Sequence, residues 1–299
     1  MSITEFRNTD APGTAPAPVT FQTLQEKKQT GRPITALTAY DYATARLVDE
    51  ADIDLILVGD SLAMVVMGYD STLPVTVDEM LHHTRAVRRA VRRAIVAADM
   101  PWGSYHLGVN EGVANAVRFV KEAGAQAVKI EGGAHRVELV EALTAAEIPV
   151  IGHLGLTPQS VHRMGGYKVQ GKTPAAISAL LNDAHALEAA GALTIVLEGM
   201  PREVAARITS EVGVPTIGIG AGLDCDGQIL VFHDLVNLSF SRSAKFVRQY
   251  GDAAALFRNA IEAYRHDVEE HAFPADSESY HLPKEVAPVL EGPALRRKA

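Results

Sequence analysis

The sequence of 299 residues predicts a closed (β/α)8 TIM barrel, an α/β fold, built as a single domain. Eight short runs rich in β-branched residues recur along the chain, and amphipathic stretches rich in Ala, Glu and Arg separate most of them. This alternation is typical of repeated βα units and a parallel sheet. Several runs, such as LILVG and TIVLE, are apolar without alternation, as expected when helices cover one side and the barrel interior the other. An open doubly wound sheet is the alternative, because periodicity does not show closure.

The strands are predicted at residues 34–39, 55–59, 95–99, 127–131, 149–153, 193–198, 215–219 and 228–232. Helices are predicted between most of them, at residues 42–49, 77–93, 111–123, 136–146, 174–190 and 202–212. Before the first strand, residues 21–31 are predicted to form a helix that plugs the N-terminal end of the barrel. After the last strand, residues 253–272 are predicted as one further helix.

The predicted domain organisation is one catalytic barrel between two tails. Residues 1–19 are rich in Ala, Pro and Thr and lack the basic and apolar regions of a secretory signal, so we expect a disordered N-terminal tail. The barrel domain is expected at residues 20–272. Residues 273–299 contain proline and charges and are expected to form a C-terminal tail, either solvated or wrapped on a neighbouring subunit.

Composition excludes several classes of protein. Hydrophobic residues make up 47% of the chain, and no apolar run approaches the roughly 20 residues of a membrane-spanning helix. A formal net charge of −8 disfavours nucleic acid and anionic membranes as partners. The single cysteine, Cys225, excludes an intramolecular disulfide and a paired thiolate site for zinc. These features predict a soluble protein of the reducing cytoplasm.

Acidic residues follow three successive predicted strands. Asp60, Asp99 and Glu131 lie where those strands end, and active sites of such barrels lie at the C-terminal ends of the strands. Neighbouring strands are only about 5 Å apart, so the three carboxylates would repel one another unless a cation lay between them. With oxygen donors only, Mg²⁺ is favoured over Zn²⁺. Alternatively, each acid caps the following helix or pairs with a basic residue.

Two further residues suit chemistry on an anionic substrate. Lys129 is two residues from Glu131 on one strand, so both side chains point to the same face and an ammonium lies beside the predicted metal. The alternative is a structural ion pair between them. Glu198 ends the sixth strand, which lies opposite the second in an eight-stranded barrel, and it could approach a metal-bound substrate from the other side as a general base.

Four long blocks of the sequence closely resemble the ketopantoate hydroxymethyltransferase family. They are VGDSLAMVVMGYDSTLPVTVDEMLHHTRAVRRA (58–90), AGAQAVKIEGG (123–133), GHLGLTPQSVHRMGGYKVQG (152–171) and PTIGIGAGLDCDGQILVFHDLV (215–236). The resemblance extends from about residue 20 to residue 250, and blocks of this length are far more specific than a short motif. It implies the same barrel fold.

The resemblance also implies roles for the acidic residues. Asp60, Asp99 and Glu131 would hold Mg²⁺, directly or through water. The 2-oxo acid 3-methyl-2-oxobutanoate would contact Asp60, Ser61, Asp99 and Lys129, while Glu198 would accept its C3 proton. The resulting enolate would attack the methylene carbon of 5,10-methylenetetrahydrofolate, and hydrolytic release would leave ketopantoate (2-dehydropantoate) and tetrahydrofolate.

The resemblance also bears on assembly and on the residues around the pocket. The resemblance implies a ring-like homo-oligomer, a decamer, and places His153 near the substrate, although a buried structural histidine is the alternative. The chain departs from the family at Ala63, often Gly, and at Gly199-Met200, often Cys-Val, so pocket shape is less well determined than the catalytic residues.

Rival functions are a Mg²⁺-dependent carbon–carbon lyase or phosphomutase acting on 2-oxo acids, and a non-catalytic barrel that binds metal or anions.

Overall fold

A computed structural model describes residues 17–241 and 243–286. Eight parallel strands close into a barrel in chain order, and the last strand pairs with the first. The strands are β1 (Ile34–Thr38), β2 (Leu55–Val58), β3 (Ile95–Asp99), β4 (Ala127–Glu131), β5 (Val150–Gly155), β6 (Thr194–Glu198), β7 (Thr216–Ile219) and β8 (Gly227–Leu230). The closed barrel confirms the predicted fold and excludes the open sheet.

Helices alternate with the strands along the chain. In chain order they are α1 (Phe21–Gln29), α2 (Tyr42–Glu50), α3 (Leu62–Val65), α4 (Val77–Ala90), α5 (Val109–Ala123), α6 (Val137–Ala145), α7 (Val161–Met164), α8 (Pro174–Ala189), α9 (Arg202–Glu211) and α10 (Phe232–Leu235), and α11 (Ala253–Glu269) follows the barrel in sequence. Short 3₁₀ helices are Ala134–Arg136, Pro158–Ser160 and Asp276–Glu278. Within the part of the chain that the structure describes, no helix combines the length and apolarity needed to cross a membrane.

The hydrophobic core has two layers, one inside the barrel and one between the strands and the outer helices. The inner layer takes side chains from every strand, for example Ile34 of β1, Ile95 of β3 and Ile217 of β7. Leu24 of α1 is fully buried and packs with this inner layer. The helix before β1 therefore closes the N-terminal end of the barrel, as predicted, and leaves the C-terminal end for the site.

The predicted helix at 77–93 is too long, because α4 ends at Ala90. The carboxylate of Asp49, on α2, accepts hydrogen bonds from the backbone N–H of Arg92 and of Ala94, both at 2.8 Å. These bonds hold the chain in the turn that leads into β3. A carboxylate remote in sequence thus competes with continuation of the helix, and no local pattern signals it.

The end of the barrel also differs from the prediction. The last strand was predicted to reach residue 232, but β8 ends at Leu230 and Phe232 begins the short helix α10. The backbone N–H of Phe232 donates to the side-chain hydroxyl of Thr38, at the end of the neighbouring strand β1, at 2.9 Å, and so does not continue the backbone ladder between β8 and β1. The short helices α3, α7 and α10, of four residues each, are too brief for a periodic signal.

The chain divides into two compact units at Gly251 and Asp252. The first contains the barrel. In the second, Asp252 caps α11 by accepting a hydrogen bond from the backbone N–H of Ala255, and the rings of Tyr264 and Phe273 pack 5.5 Å apart. The predicted barrel boundary at residue 272 remains a prediction, and residues 1–16 and 287–299 of the predicted tails lie outside the described residues.

An ion pair links α1 to the N-terminal end of the barrel. The Lys27 ammonium lies 2.5 Å from the Asp54 carboxylate, which is only 1% exposed. Asp54 also accepts hydrogen bonds from the backbone and hydroxyl of Thr35, at 2.9 and 3.0 Å. Burial by itself would raise the pKa of Asp54, but the hydrogen bonds from Lys27 and Thr35 outweigh it and lower the pKa. The folded state therefore favours the ionised carboxylate.

We expect Lys27→Met to lower the free energy of unfolding by about 2 kcal/mol at neutral pH, because it removes the nearest charged hydrogen-bond donor of Asp54 and leaves Arg93, at 3.4 Å, as the remaining cation. The measurement is chemical unfolding followed by circular dichroism. Lys121→Met, on the exposed face of α5, is the matched control and should change stability little.

The pH dependence tests whether the effect is ionic. Because folding lowers the pKa of Asp54, its contribution is present above the ordinary value of about 3.9 and is lost as the pH falls through the folded value. The difference between wild type and Lys27→Met should therefore shrink below about pH 4. A difference that stays constant there would contradict the ion pair as its cause.

Candidate active site

All the residues predicted for the site line one cavity at the C-terminal ends of the strands, with a volume of about 390 Å³. Asp60 and Ser61 follow β2, Asp99 ends β3, and β6 ends at Glu198. The two residues predicted on β4 complete the set: Lys129 and Glu131. The closed barrel thus brings together side chains that are up to 138 positions apart in sequence, between residues 60 and 198.

Lys129 is the buried cation of this cavity. Its ammonium lies 2.9 Å from Asp99 Oδ1 and 3.9 Å from Glu131 Oε1. Burial alone would lower the pKa of Lys129, but the attraction of Asp99, Glu131 and Asp60 outweighs it and raises the pKa. The side chain therefore stays an ammonium that lines the cavity and contacts two of its acids.

Asp60 and Asp99 lie side by side. The backbone N–H of Asp60 donates to Asp99 Oδ2 at 2.9 Å, and both carboxyl groups are almost completely buried. Burial, and then repulsion from Asp99 and Glu131, raises the pKa of Asp60 well above its ordinary value. Burial also raises the pKa of Asp99, although Lys129 opposes that effect. The repulsion expected from the sequence is therefore present.

Glu131 is held in its ionised form by hydrogen-bond donors. Burial would raise its pKa, but the contacts with His153 and then Lys129 outweigh burial and lower it. Its Oε2 accepts a hydrogen bond from the backbone N–H of Gln159 at 3.0 Å. The Gln159 side chain donates from Nε2 to Asp60 Oδ2 at 2.9 Å. Gln159 therefore bridges two of the three acids, a contact that sequence patterns did not reveal.

His153, on β5, bridges the two sides of the cavity. Its Nδ1 lies 3.3 Å from Glu131 Oε1, and its Nε2 lies 3.2 Å from Glu198 Oε2. Burial and the nearby Lys129 would lower its pKa, but the two glutamates raise the pKa to about 9. Its Nδ1 also lies 3.2 Å from the Lys129 ammonium, so the ring stands between one cation and two acids.

Glu198 and Ser61 lie at the more accessible parts of the cavity wall. The Glu198 side chain is 17% exposed, against 3% for Glu131, so its carboxylate is open to a ligand in the cavity. The hydroxyl of Ser61 is hydrogen-bonded to that of Tyr40 at 2.8 Å. Burial raises the pKa of Tyr40, which keeps its phenol protonated. Tyr40 is a second contact of the site that the sequence did not predict.

The donor set fits a hard divalent cation. Among the described residues, Asp99 Oδ1 and Glu131 Oε1 are buried and make no hydrogen bond of good geometry, although the Lys129 ammonium lies nearby. Together with Asp60 they supply carboxylate oxygens, the kind of ligand that Mg²⁺ accepts. Residues 17–241 and 243–286 contain no group of three His, Cys, Asp or Glu side chains already arranged to bind one metal directly. A cation here would therefore take part of its coordination from water or from a ligand.

Solved structures share the barrel fold at low sequence identity. Phosphonopyruvate hydrolase, solved in complex with oxalate and Mg²⁺, has a TM-score of 0.55 and 17% identity, covering 87% of this chain and 93% of that chain. A 2,3-dimethylmalate lyase of the PEP mutase/isocitrate lyase superfamily has a TM-score of 0.56 and 17% identity, covering 92% of this chain and 95% of that chain. At this identity the likeness concerns the fold alone.

Relatives found by sequence comparison are far more similar to this chain than these structures are. The 3-methyl-2-oxobutanoate hydroxymethyltransferase of Koribacter versatilis (strain Ellin345) is 64% identical over 281 residues, which cover 94% of this chain and 95% of the relative. The enzyme of the same name from Thermoanaerobacter sp. (strain X514) is 52% identical over 266 residues, covering 89% of this chain and 97% of the relative. The family model described as ketopantoate hydroxymethyltransferase matches residues 18–276. The chain therefore belongs to the ketopantoate hydroxymethyltransferase family.

Proposed function

We propose that this protein transfers the one-carbon unit of 5,10-methylenetetrahydrofolate to 3-methyl-2-oxobutanoate and forms ketopantoate, the first step of pantothenate and coenzyme A biosynthesis. Its family membership supports the reaction. The observation that carries the proposal is the single cavity in which three acids and one ammonium face Glu198. We also propose a cytoplasmic homo-oligomer, with the decamer implied by the family as the first assembly to test.

In the proposed complex, Asp60, Asp99 and Glu131 hold Mg²⁺ directly or through water. Bound there, the ion would withdraw electron density from the 2-oxo and carboxylate oxygens of the substrate and make its C3 proton more acidic. Lys129 adds a second positive charge for the substrate carboxylate. Asp60, Ser61 and Asp99 complete the contacts to the substrate. A barrel of the same fold binds Mg²⁺ and oxalate in phosphonopyruvate hydrolase, so the fold is compatible with this pairing.

Glu198 is the proposed proton acceptor. The His153 ring, whose Nε2 lies 3.2 Å from Glu198 Oε2, orients the carboxylate across the cavity from the acids of β2, β3 and β4. Glu198 takes the proton from C3, and the electron pair of that C–H bond forms the new bond to the methylene carbon as the first of its two bonds to folate nitrogen breaks. The proton held by Glu198 passes to that nitrogen. Water then supplies the hydroxyl group as the second carbon–nitrogen bond breaks, and the other proton of the water goes to the second nitrogen, which leaves tetrahydrofolate.

We expect Glu198→Gln to slow the exchange of the C3 proton of 3-methyl-2-oxobutanoate with deuterium by about 10²- to 10⁴-fold, since the amide cannot accept the proton. Proton NMR in deuterium oxide with Mg²⁺ measures this exchange without folate. The matched control is Glu203→Gln, on the exposed surface of α9, which should exchange at the wild-type rate. Wild-type exchange by the Glu198 variant would exclude Glu198 as the base.

Addition of methylenetetrahydrofolate to the same samples separates the rival activities. The proposed transferase should form ketopantoate only after the folate is added. A carbon–carbon lyase or phosphomutase would turn over its own substrate without folate, and a non-catalytic barrel would show neither exchange nor product. Exchange without any folate-dependent product would contradict the proposed transfer.

Removal of divalent cations should abolish the exchange, and Mg²⁺ should restore it. Because the cation would stabilise the charge that forms on the substrate oxygens, we expect a loss of at least about 100-fold, equivalent to about 3 kcal/mol in the activation barrier. The measurement compares the NMR exchange rate in chelator-treated protein before and after addition of Mg²⁺. Undiminished exchange in metal-free protein would show that Lys129 and the other protein groups suffice.

A further inference from the structure

Gln159 is a buried amide at the point where four strand ends meet. It lies in the 3₁₀ helix Pro158–Ser160 that follows β5, and it is 5% exposed. Its Nε2 donates to Asp60 Oδ2 at 2.9 Å and to the backbone carbonyl of Met100 at 3.0 Å. Both hydrogens of the amide nitrogen are thereby used, one of them on a carboxylate of the site.

The other end of the amide is fixed by Tyr105. The phenol of Tyr105 donates to Gln159 Oε1 at 2.6 Å, and its oxygen accepts a hydrogen bond from the backbone N–H of Glu131 at 3.1 Å. Rotation of the amide by 180° would face its carbonyl oxygen toward the Asp60 carboxylate and its nitrogen toward the phenol proton. The contacts therefore hold the donor end of Gln159 toward Asp60.

The backbone of Gln159 holds the second acid. Its N–H donates to Glu131 Oε2 at 3.0 Å, so one oxygen of each carboxylate, Asp60 Oδ2 and Glu131 Oε2, is bound by this residue. The other oxygen of Glu131 makes no hydrogen bond of good geometry within the described residues and lies on the side of Lys129 and His153. Donors on Gln159 are neutral, so they orient the acids without cancelling the negative charge that attracts a cation.

We propose that Gln159 is a positioning residue for the cation of this site. It fixes the spacing of Asp60 and Glu131 and turns their remaining oxygens toward the cavity, while Tyr105 fixes the direction of its amide. An arginine or lysine in this place could hold the same acids, but its charge would compete with the metal. This inference rests on the proposed function, since it concerns the same cation.

The test is the affinity of Gln159→Met for Mn²⁺, a paramagnetic substitute for Mg²⁺, measured by electron paramagnetic resonance on the full-length protein. Methionine has nearly the same length and no donor. Loss of partners that orient metal ligands typically weakens metal binding about 10- to 100-fold, and we expect a loss of this size. Deuterium exchange at saturating Mn²⁺ should recover most of the wild-type rate, because the variant retains every group that contacts substrate.

Two further variants separate positioning from a merely structural role. Ser160→Ala, the neighbouring residue, should bind Mn²⁺ like wild type. Tyr105→Phe removes the hydroxyl that orients the amide and that accepts the backbone N–H of Glu131, but it leaves both donors of Gln159 in place, so it should weaken Mn²⁺ binding less than Gln159→Met does. This variant keeps the proposal testable if Gln159→Met fails to fold, which thermal unfolding would reveal.

The outcomes separate this inference from the proposed function. Wild-type affinity for Mn²⁺ in folded Gln159→Met, or in Tyr105→Phe when Gln159→Met is unfolded, would overturn the positioning role. A lowered unfolding midpoint with unchanged Mn²⁺ affinity would likewise reduce Gln159 to a packing residue. Failure of the wild-type protein itself to bind Mn²⁺ would instead contradict the proposed metal site, and the inference would fall with it.

Discussion

Repulsion among three buried carboxylates is the constraint on which the rest of the site depends. Asp60, Asp99 and Glu131 lie in one cavity with almost no exposure to water, and Lys129 is the lysine that compensates them there. Such an arrangement is costly to the isolated protein, because burial and like charge both disfavour ionisation. The same cluster of carboxylates would favour a divalent cation, so the feature that disfavours ionisation in the isolated chain is also the one that supports the proposed metal site.

Much of this arrangement could be predicted from the sequence because a parallel barrel has simple geometry. Once the strands are located, their C-terminal ends must meet at one mouth, which places Asp60, Asp99, Glu131 and Glu198 together. The spacing of two residues between Lys129 and Glu131 likewise fixes their common face. These are consequences of periodicity and closure, and neither depends on the details of side-chain packing.

The remaining contacts could not be predicted, since they arise between loops whose paths are set by the whole fold. Gln159 reaches Asp60 across 99 positions of sequence, and neither its residue type nor its loop marks it as a partner of acids. His153 could be assigned to the mouth, but its contacts with two glutamates arise only in the folded chain. The early end of α4 has the same origin. The Asp49 carboxylate accepts a hydrogen bond from the backbone N–H of Arg92, which a longer helix would have bonded internally.

The packed interior beneath the site also affects how ligands would enter and leave it. Buried side chains of all eight strands fill the barrel, and Leu24 packs beneath them, so the acidic cavity lies above a packed interior at the C-terminal end of the strands. Two ligands of unequal size that entered this cavity from the C-terminal end would have to bind with the smaller one first. The larger one would then separate the smaller one from bulk water.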